Sequence, residues 1–204
     1  MKLYYSPGAC SLSVHIACKE AGIPLAIERV NLHSAERLTE TGKSFWAINP
    51  KGYVPALELD DGQILTEAAA VLEYVADLKP EAKLAPPQGS LERSRMREWL
   101  LFLSTEFHKT MGPMFNPALS AEARKEIAGR LQGRYALFEK QLADGRSFLL
   151  GETLTVADCY AYVVGGYAYP LKIDISAFPK VVAYLKRIRE RPMVKEAEAE
   201  EGGH

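Results

Sequence analysis

The stretch NPKGYVPALELDDGQILTEAAAVLEYVADL (residues 49–78) decides the fold of the first part of this chain. It begins with a turn, continues with an apolar run at residues 54–59, and reaches Asp60-Asp61-Gly62, a strong hairpin signal. A second short apolar run follows the hairpin, and Thr66 is a residue type that caps helices. Residues 67–78 then have a helical pattern. The stretch therefore predicts two antiparallel strands followed by a helix.

The residues before this stretch predict a β-α-β unit. Residues 1–6 are short, apolar and rich in tyrosine, which favours a strand, and residues 11–21 form a helical pattern that Gly22 ends. Residues 25–32 alternate in polarity as a second strand, while residues 35–45 are polar and predict at most a short helix. The first part of the chain is therefore an α/β domain with the order β-α-β, then β-β-α.

After residue 78 the pattern becomes helical almost throughout. Residues 80–90 are rich in proline and glycine and have the composition of a linker. Four helices are expected beyond it, over residues 91–111, 121–143, 155–167 and 178–190. The sequence therefore predicts an α/β plus all-α fold with three parts: a domain over residues 1–80, a linker over 81–90 and an all-helical domain over 91–204.

Composition and charge argue against two classes of function. Of the 204 residues, 48% are apolar and 25% are charged, which is typical of a globular protein. The formal net charge of −1 lacks the basic excess of a protein that binds nucleic-acid phosphates. No apolar run reaches the roughly 18 residues needed to span a bilayer. We therefore expect no nucleic-acid partner and no membrane partner.

The three cysteines, Cys10, Cys18 and Cys159, are too few and too irregularly spaced for a disulfide framework. Their spacing also lacks the paired pattern of a zinc site, so we expect no metal. Residues 1–10 lack the apolar core of a signal peptide. The sequence therefore predicts free thiols and a cytoplasmic location, where the environment is reducing.

Four segments together carry a resemblance to a known family. They are SPGACSLS (residues 6–13), NPKGYVPAL (49–57), LTEAAA (65–70) and LTVAD (154–158). In this order and spacing the chain resembles a cytosolic glutathione S-transferase from residue 1 to about residue 192, and Cys10 with His108 resembles the bacterial beta class. The resemblance implies a thioredoxin-like N-terminal domain, a helical C-terminal domain that contributes the electrophile pocket, and a homodimer.

The resemblance also assigns glutathione-binding residues to the N-terminal domain. In the family the bond before the residue matching Pro55 is cis, and the backbone of Val54 pairs with the extended tripeptide; an edge-strand proline is the alternative. Glu67 and Ala68 begin a helix, where N–H groups and the dipole favour the γ-glutamyl carboxylate, although a plain helix start has the same pattern. Arg37 lies in the loop where the beta class has a glutathione-contacting lysine.

Cys10 follows a strand and a Pro-Gly turn and precedes a helix. A helix start stabilises a thiolate, so we expect a lowered thiol pKa if the N–H groups point at it; a small buried cysteine is the alternative. By resemblance Cys10 faces the sulfur of glutathione, and Ser11 is a second candidate to hold that sulfur. Tyr4 and Tyr5 are also candidates by the resemblance, but they fall inside the predicted strand and are predicted to be structural. No nearby cysteine can resolve a mixed disulfide. Whether Cys10 acts by hydrogen bonding or covalently stays open.

The long helix over residues 91–111 presents a second group of candidates. Thr105 and His108 are spaced to share a face that differs from the apolar stripe of that helix. In the beta class the residues matching His108 and Lys109 lie near the glutathione sulfur, where a cation or a donor favours the thiolate. A solvated helix end is the alternative. By the resemblance His108 joins Cys10 and Ser11 as catalytic, and Thr105 and Lys109 bind glutathione.

Two features of the helical half complete the expectations. Thr155 and Asp158 have the spacing of a capping box, which indicates a structural role. Four apolar residues either line a pocket for the electrophile or belong to the core: Met111, Met114, Phe115 and Tyr167.

The predicted activity is conjugation of the thiolate of glutathione to an electrophilic, hydrophobic small molecule. Glutathione is the co-substrate, and no other cofactor is expected. Two alternatives stay open at this point. One is glutathione-dependent thiol–disulfide exchange or peroxidase activity through Cys10, and the other is a non-catalytic regulator or binding protein with the same fold.

Overall fold

The computed structural model describes residues 1–202, which form two compact units. The first unit contains Met1–Ala85 together with residues 191–202, and the second contains Pro86–Glu190. The sequence placed residues 191–204 in the helical domain. For residues 191–202 that placement is wrong, because this segment packs on the first unit; residues 203 and 204 lie outside the described residues.

A four-stranded mixed sheet forms the centre of the first unit. Its strands are β1 (Lys2–Tyr5), β2 (Ala26–Arg29), β3 (Ala56–Glu58) and β4 (Ile64–Thr66). They lie in the order β2-β1-β3-β4, with β1 parallel to β2 and the other two pairings antiparallel. With the helices α1 (Ser11–Ala21), α2 (Phe45–Ile48) and α3 (Ala68–Leu78), this is the predicted β-α-β and β-β-α order.

The segment over residues 35–45 differs from its expectation. Residues 35–44 form no helix, and isolated bridges instead join Val30 to Thr39 and Leu38 to Ser44. Helix α2 begins only at Phe45, whose ring is fully buried and packs 5.8 Å from that of Tyr4. The polar residues before Phe45 have no apolar face to bury, so a helix there would gain nothing from tertiary packing.

A helix that the sequence did not predict, α9 (Pro192–Glu200), returns to the first unit and packs against α1. Charged groups hold it there: both ring nitrogens of His15 face carboxylates, Glu200 at 3.0 Å and Glu201 at 3.2 Å, and Lys19 bonds Glu196 at 2.7 Å. The sequence gives little sign of this packing because the helix has only a narrow apolar face.

The second unit is helical. Its helices are α4 (Leu91–Phe102), α5 (Lys109–Met111), α6 (Ala121–Gln141), α7 (Val156–Gly166) and α8 (Pro179–Arg189). A π-helical segment, Leu103–His108, joins α4 to α5, so the predicted helix over residues 91–111 changes its winding before His108. The aromatic rings of Phe107, Tyr135 and Phe138 form the core, with edge-to-face contacts of 5.1 and 6.2 Å from Phe107. No helix among residues 1–202 is long and apolar enough to cross a membrane.

Candidate active site

Cys10 lies at the N-terminus of α1, directly after the loop that leaves β1. Its side chain is 5% exposed, and its thiol donates a hydrogen bond to the backbone oxygen of Val54 at 3.3 Å. That contact places the sulfur beside the segment that enters β3. Because only a protonated thiol can donate, the bond belongs to the S–H form of Cys10.

Ser11, the second residue predicted to hold the glutathione sulfur, is the first residue of α1 and bonds back to Ser6 in the preceding loop. The backbone N–H of Ser6 donates to the Ser11 hydroxyl at 3.3 Å, and this hydroxyl donates to the Ser6 oxygen at 3.4 Å. The residue is completely buried. These contacts indicate that Ser11 fixes the loop carrying Cys10; its catalytic role stays a prediction that they do not favour.

The N-terminal tyrosines are buried, as a structural role requires. Tyr4 donates its hydroxyl hydrogen to Glu58 at 2.7 Å, and burial raises the pKa of Tyr4 to about 12. Burial also raises the pKa of Tyr5. The one hydroxyl hydrogen of Tyr4 is thus directed to Glu58, and a raised pKa makes each phenol a weaker hydrogen-bond donor, so the structural role is favoured for both.

The Val54–Pro55 bond is cis, as the resemblance implied. One residue later β3 begins, and its register pairs Ala56 with Thr66 at the end of β4. The pairing brings Glu67 and the start of α3 beside the Val54–Pro55 segment. The sequence thus separates these groups by 12 residues, and the hairpin closes the distance.

Glu67 has a backbone φ of +71°, in the left-handed region that residues with a side chain rarely adopt. It is the residue immediately before α3, so the helix begins at Ala68 and the expectation that Thr66 caps it is wrong. Lys51 spans this start, bonding the Glu67 carboxylate at 2.8 Å and the Thr66 hydroxyl at 2.9 Å. Non-glycine residues in this region often mark functional sites.

Arg37 is held against the turn that precedes Val54. Its guanidinium lies 4.6 Å from the ring centre of Trp46, and the Trp46 indole donates to the Ala35 oxygen at 2.9 Å. Gly52 faces this pair so closely that a Cβ there would lie 2.2 Å from Trp46 and 2.6 Å from Arg37. A cation is therefore fixed within the first unit, near the segment that carries Val54.

In the second unit the π-helical segment positions Thr105 and His108. The predicted two faces are present: Leu103 and Phe107 are buried, whereas Thr105 is exposed and His108 is half-buried. The Thr105 hydroxyl donates to the Leu101 oxygen one turn back at 3.0 Å. Lys109, which follows directly, is exposed. π-helical turns are frequent at functional sites, because the extra residue per turn redirects side chains.

Aromatic side chains surround His108. Its Nδ1 lies 3.0 Å from the hydroxyl of Tyr160, and the rings of Tyr160 and Tyr167 lie 6.1 and 5.9 Å from the imidazole. Tyr167 in turn contacts Phe115 at 5.2 Å, edge to face. Phe115 is 51% exposed, whereas Met111 is completely buried. Of the predicted pocket residues, Tyr167 and Phe115 thus belong with His108, and Met111 belongs to the core.

The other two cysteines lie away from these groups. Cys18 and Cys159 are both completely buried, and burial raises the pKa of Cys18 to about 12. None of the three cysteines forms a disulfide. Within residues 1–202, no group of three or more His, Cys, Asp or Glu side chains has an arrangement that could hold a metal ion.

The capping box at the start of α7 is confirmed. The Thr155 side chain accepts from the N–H of Asp158, and the Asp158 carboxylate accepts from the N–H of Thr155 at 2.8 Å. Asp158 is completely buried and also accepts from the Leu149 N–H and the Tyr184 hydroxyl. Burial raises the pKa of Asp158, and these hydrogen bonds oppose that rise. The role is structural, as expected.

Fold and site together define a class: a thioredoxin-like unit with a cysteine at a helix start beside a cis-proline, followed along the chain by a helical unit. Two family models match the chain: the glutathione S-transferase N-terminal domain over residues 8–78 and the glutathione S-transferase C-terminal domain over residues 102–192. The curated glutathione S-transferase GstA of Escherichia coli O157:H7 is 37% identical over 202 residues, covering 99% of each chain. The chain therefore belongs to the glutathione S-transferase family.

Solved structures refine this assignment. A sphingomonad glutathione S-transferase complexed with glutathione matches with a TM-score of 0.93 and 46% identity, covering 99% of each chain. The bacterial beta-class glutathione S-transferase of Sphingomonas chungbukensis matches with a TM-score of 0.93 and 44% identity over the same share. The predicted family, its beta-class likeness and the thioredoxin-like plus helical fold are thus confirmed.

Sequence reasoning missed three residues that the structure adds to these groups: Lys51, Trp46 and Tyr160. Lys51 stood inside the quoted NPKG turn, but nothing in the turn shows that its ammonium reaches Glu67. Trp46 carried only the signal of an aromatic residue beside a polar loop. Tyr160 lies in a helix that is apolar all round, where a tyrosine hydroxyl needs a partner; that need was the available signal.

Proposed function

We propose that this enzyme binds glutathione on its first unit and catalyses attack of the glutathione thiolate on an electrophilic carbon of a hydrophobic small molecule. The observation that carries the proposal is the 3.3 Å hydrogen bond from Cys10 to Val54. It places a thiol beside the backbone segment that, in this family, receives an extended tripeptide. A sulfur of that tripeptide would then lie close to Cys10.

The first unit offers complementary groups to each part of glutathione. The Val54 oxygen has two lone pairs, so it can accept from the tripeptide as well as from Cys10. The N–H groups at Ala68 and the dipole of α3 suit the γ-glutamyl carboxylate, and the Glu67 carboxylate suits its ammonium. The Lys51 ammonium lies 2.8 Å from the Glu67 carboxylate, so this carboxylate is placed where it can pair with a cation.

For the glycyl carboxylate of glutathione we assign Arg37. Its guanidinium is held by Trp46, so less side-chain freedom is lost on binding than for an unrestrained lysine. Arg37→Met should raise the KM for glutathione with little change in kcat, because the contact is equally present in the ground state and the transition state. Steady-state kinetics at varied glutathione test this assignment, and an unchanged KM contradicts it.

The chemical step requires loss of the glutathione thiol proton. A hydrogen bond from the Cys10 S–H, together with a donor or cation from His108 and Lys109, would favour the thiolate, and Thr105 would contact the tripeptide from the same helix. In substitution on an aryl halide, the sulfur electron pair forms the C–S bond, the C–halogen bond breaks, and halide leaves with its electrons. The thiol proton passes to solvent.

A second candidate uses Cys10 covalently. Its thiol is in no disulfide and lies at the proposed tripeptide site, which favours exchange with a mixed disulfide. The Cys10 thiolate would attack the glutathione sulfur of that disulfide, forming a Cys10–glutathione disulfide and releasing the other thiolate. A second glutathione thiolate would then release glutathione disulfide and restore Cys10.

One set of assays separates these candidates. Conjugation of an aryl chloride and reduction of a glutathione mixed disulfide are measured for the wild type, Cys10→Ala and His108→Ala. If Cys10 only hydrogen-bonds, its loss weakens conjugation; if it acts covalently, its loss abolishes disulfide reduction and spares conjugation. A wild-type protein with neither activity and no retention on immobilised glutathione refutes the enzyme proposal and favours a binding protein.

Two further parts of the prediction stay proposals. We propose a homodimer, on the resemblance to the family, and light scattering of the purified protein tests it. A cytoplasmic location is proposed because none of the three cysteines forms a disulfide, and fractionation of the native host tests it.

The chemical character of the electrophile is the last part of the proposal. The exposed Phe115 beside Tyr167 supports an apolar electrophile.

A further inference from the structure

The partner of His108 in the second unit is a buried tyrosine. The Tyr160 side chain is 1% exposed, and its hydroxyl lies 3.0 Å from Nδ1 of His108. Tyr160 belongs to α7, and His108 ends the π-helical segment that packs against α7. The bond therefore joins two elements of the core, and a change in either would move the imidazole.

A tyrosine hydroxyl can serve this nitrogen in two ways. When the imidazole is neutral with its proton on Nε2, the hydroxyl donates to Nδ1; when Nδ1 carries a proton, the hydroxyl oxygen accepts from it. A carbonyl or a carboxylate could only accept, and would fix a proton on Nδ1. Tyr160 can thus keep the imidazole in one orientation while its protonation changes.

The surroundings restrict the imidazole further. The ring of Tyr160 stands at 82° to it and that of Tyr167 at 57°, so two aromatic rings limit its rotation. The contact with Tyr160 is made through Nδ1, so it fixes the direction in which the rest of the imidazole is presented. Orientation of a histidine through its other nitrogen is a general device of enzymes that use imidazole.

We propose that Tyr160 is a positioning residue for glutathione transfer: it binds Nδ1 of His108 in both protonation states and so holds the imidazole in the orientation that the reaction uses. The inference rests on the proposed function, because it requires His108 to serve the bound thiol. It adds a residue whose hydroxyl acts through His108.

The test compares Tyr160→Phe with a matched control, Tyr135→Phe. Tyr135 is also fully buried in the second unit, and its hydroxyl donates to the Gly165 oxygen at 2.7 Å. Both variants lose one hydrogen bond made by a buried tyrosine, but only Tyr160 bonds His108. The chain has four histidines, so ¹⁵N-histidine labelling gives a simple spectrum, and the His108 signals are those missing in His108→Gln.

In Tyr160→Phe we expect the Nδ1 resonance of His108 to move and its pH titration to change. We also expect kcat/KM for conjugation to fall about three- to tenfold, with an altered pH profile, as for loss of one hydrogen bond. Tyr135→Phe should lower the melting temperature without either effect. Unchanged His108 resonances, or a kcat/KM in Tyr160→Phe equal to that of Tyr135→Phe, overturn the inference.

The same experiment separates this inference from the proposed function. Full conjugation activity in His108→Gln would show that His108 has no role in the reaction, and would refute that part of the proposed function. A deep loss in His108→Gln together with wild-type kinetics in Tyr160→Phe would leave the proposed function standing and refute the role of Tyr160.

Discussion

Replacement of Asp158 by alanine should lower the free energy of unfolding of the second unit more than a substitution at an exposed position does. Each carboxylate oxygen accepts two hydrogen bonds: Oδ1 from the Leu149 N–H at 2.7 Å and the Tyr184 hydroxyl at 2.8 Å, Oδ2 from the Thr155 N–H at 2.8 Å and its hydroxyl at 2.9 Å. The hydroxyls can rotate towards other acceptors. The two backbone N–H groups cannot, because α7 and the chain at Leu149 fix them.

The magnitude follows from those two N–H groups. A buried donor left without an acceptor costs about 1–3 kcal/mol, so Asp158→Ala should lower the free energy of unfolding by about 4 kcal/mol. For a chain of this size each kcal/mol shifts the melting temperature by about 2–4 °C, which gives a fall of about 8–16 °C. Asp158→Asn keeps one oxygen and hence one pair of bonds, so about half that fall is expected.

Thermal unfolding followed by circular dichroism measures both variants. Asp174→Ala is the matched control, because Asp174 also accepts a backbone N–H, from Ser176 at 2.9 Å, but is exposed. It should change the melting temperature little. An Asp158→Ala protein that melts with the wild type, or an Asp158→Asn protein as unstable as Asp158→Ala, would refute the count of bonds. Conjugation per folded molecule should stay unchanged.

Substitutions at Gly52 and Lys19, with Gly62 as a control, probe the first unit. Gly52→Ala should lower the free energy of unfolding, measured in urea, by about 2–4 kcal/mol, because its φ is +74° and the new Cβ would meet Trp46. Gly62→Ala is the control: its φ is +83° but its Cβ would meet no atom, so it measures the cost of the backbone conformation alone. The hydrogen bond from Lys19 lowers the pKa of Glu200 in the folded protein. The pair therefore stabilises α9 fully above the ordinary pKa of 4.5, and this stabilisation is lost as the pH falls through the lowered pKa of the folded state. Lys19→Met should therefore melt below wild type at pH 6 and converge with it on acidification; a constant gap contradicts this.

Much of the fold could be read from local patterns. The hairpin at residues 60–62, the helix ended by Gly22 and the capping box at Asp158 each depend on a few neighbouring residues whose backbone preferences are strong. The predicted α1 bounds agree with the structure, and Gly22 has the expected left-handed φ of +62°. Where local preference and burial agree, sequence alone is sufficient.

The misplaced C-terminal segment shows where that reading fails. Helix α9 has a polar sequence, and its position depends on pairing with His15 and Lys19, about 180 residues earlier in the chain. No local pattern can express such a pairing. The π-helical turn before His108 was also not predicted: the segment packs against α7, which lies about 50 residues later in the chain.

For the candidate site, sequence determined which residues are present, and tertiary structure decided what each one touches. The motifs place Cys10 at a helix start and Glu67 at another, because turn and helix signals are local. Only the folded chain brings the Cys10 thiol to Val54, Lys51 to Glu67, and the Tyr160 hydroxyl to His108. Hydrogen bonds act over about 3 Å, so their partners are fixed by the packing of strands and helices that lie far apart in sequence.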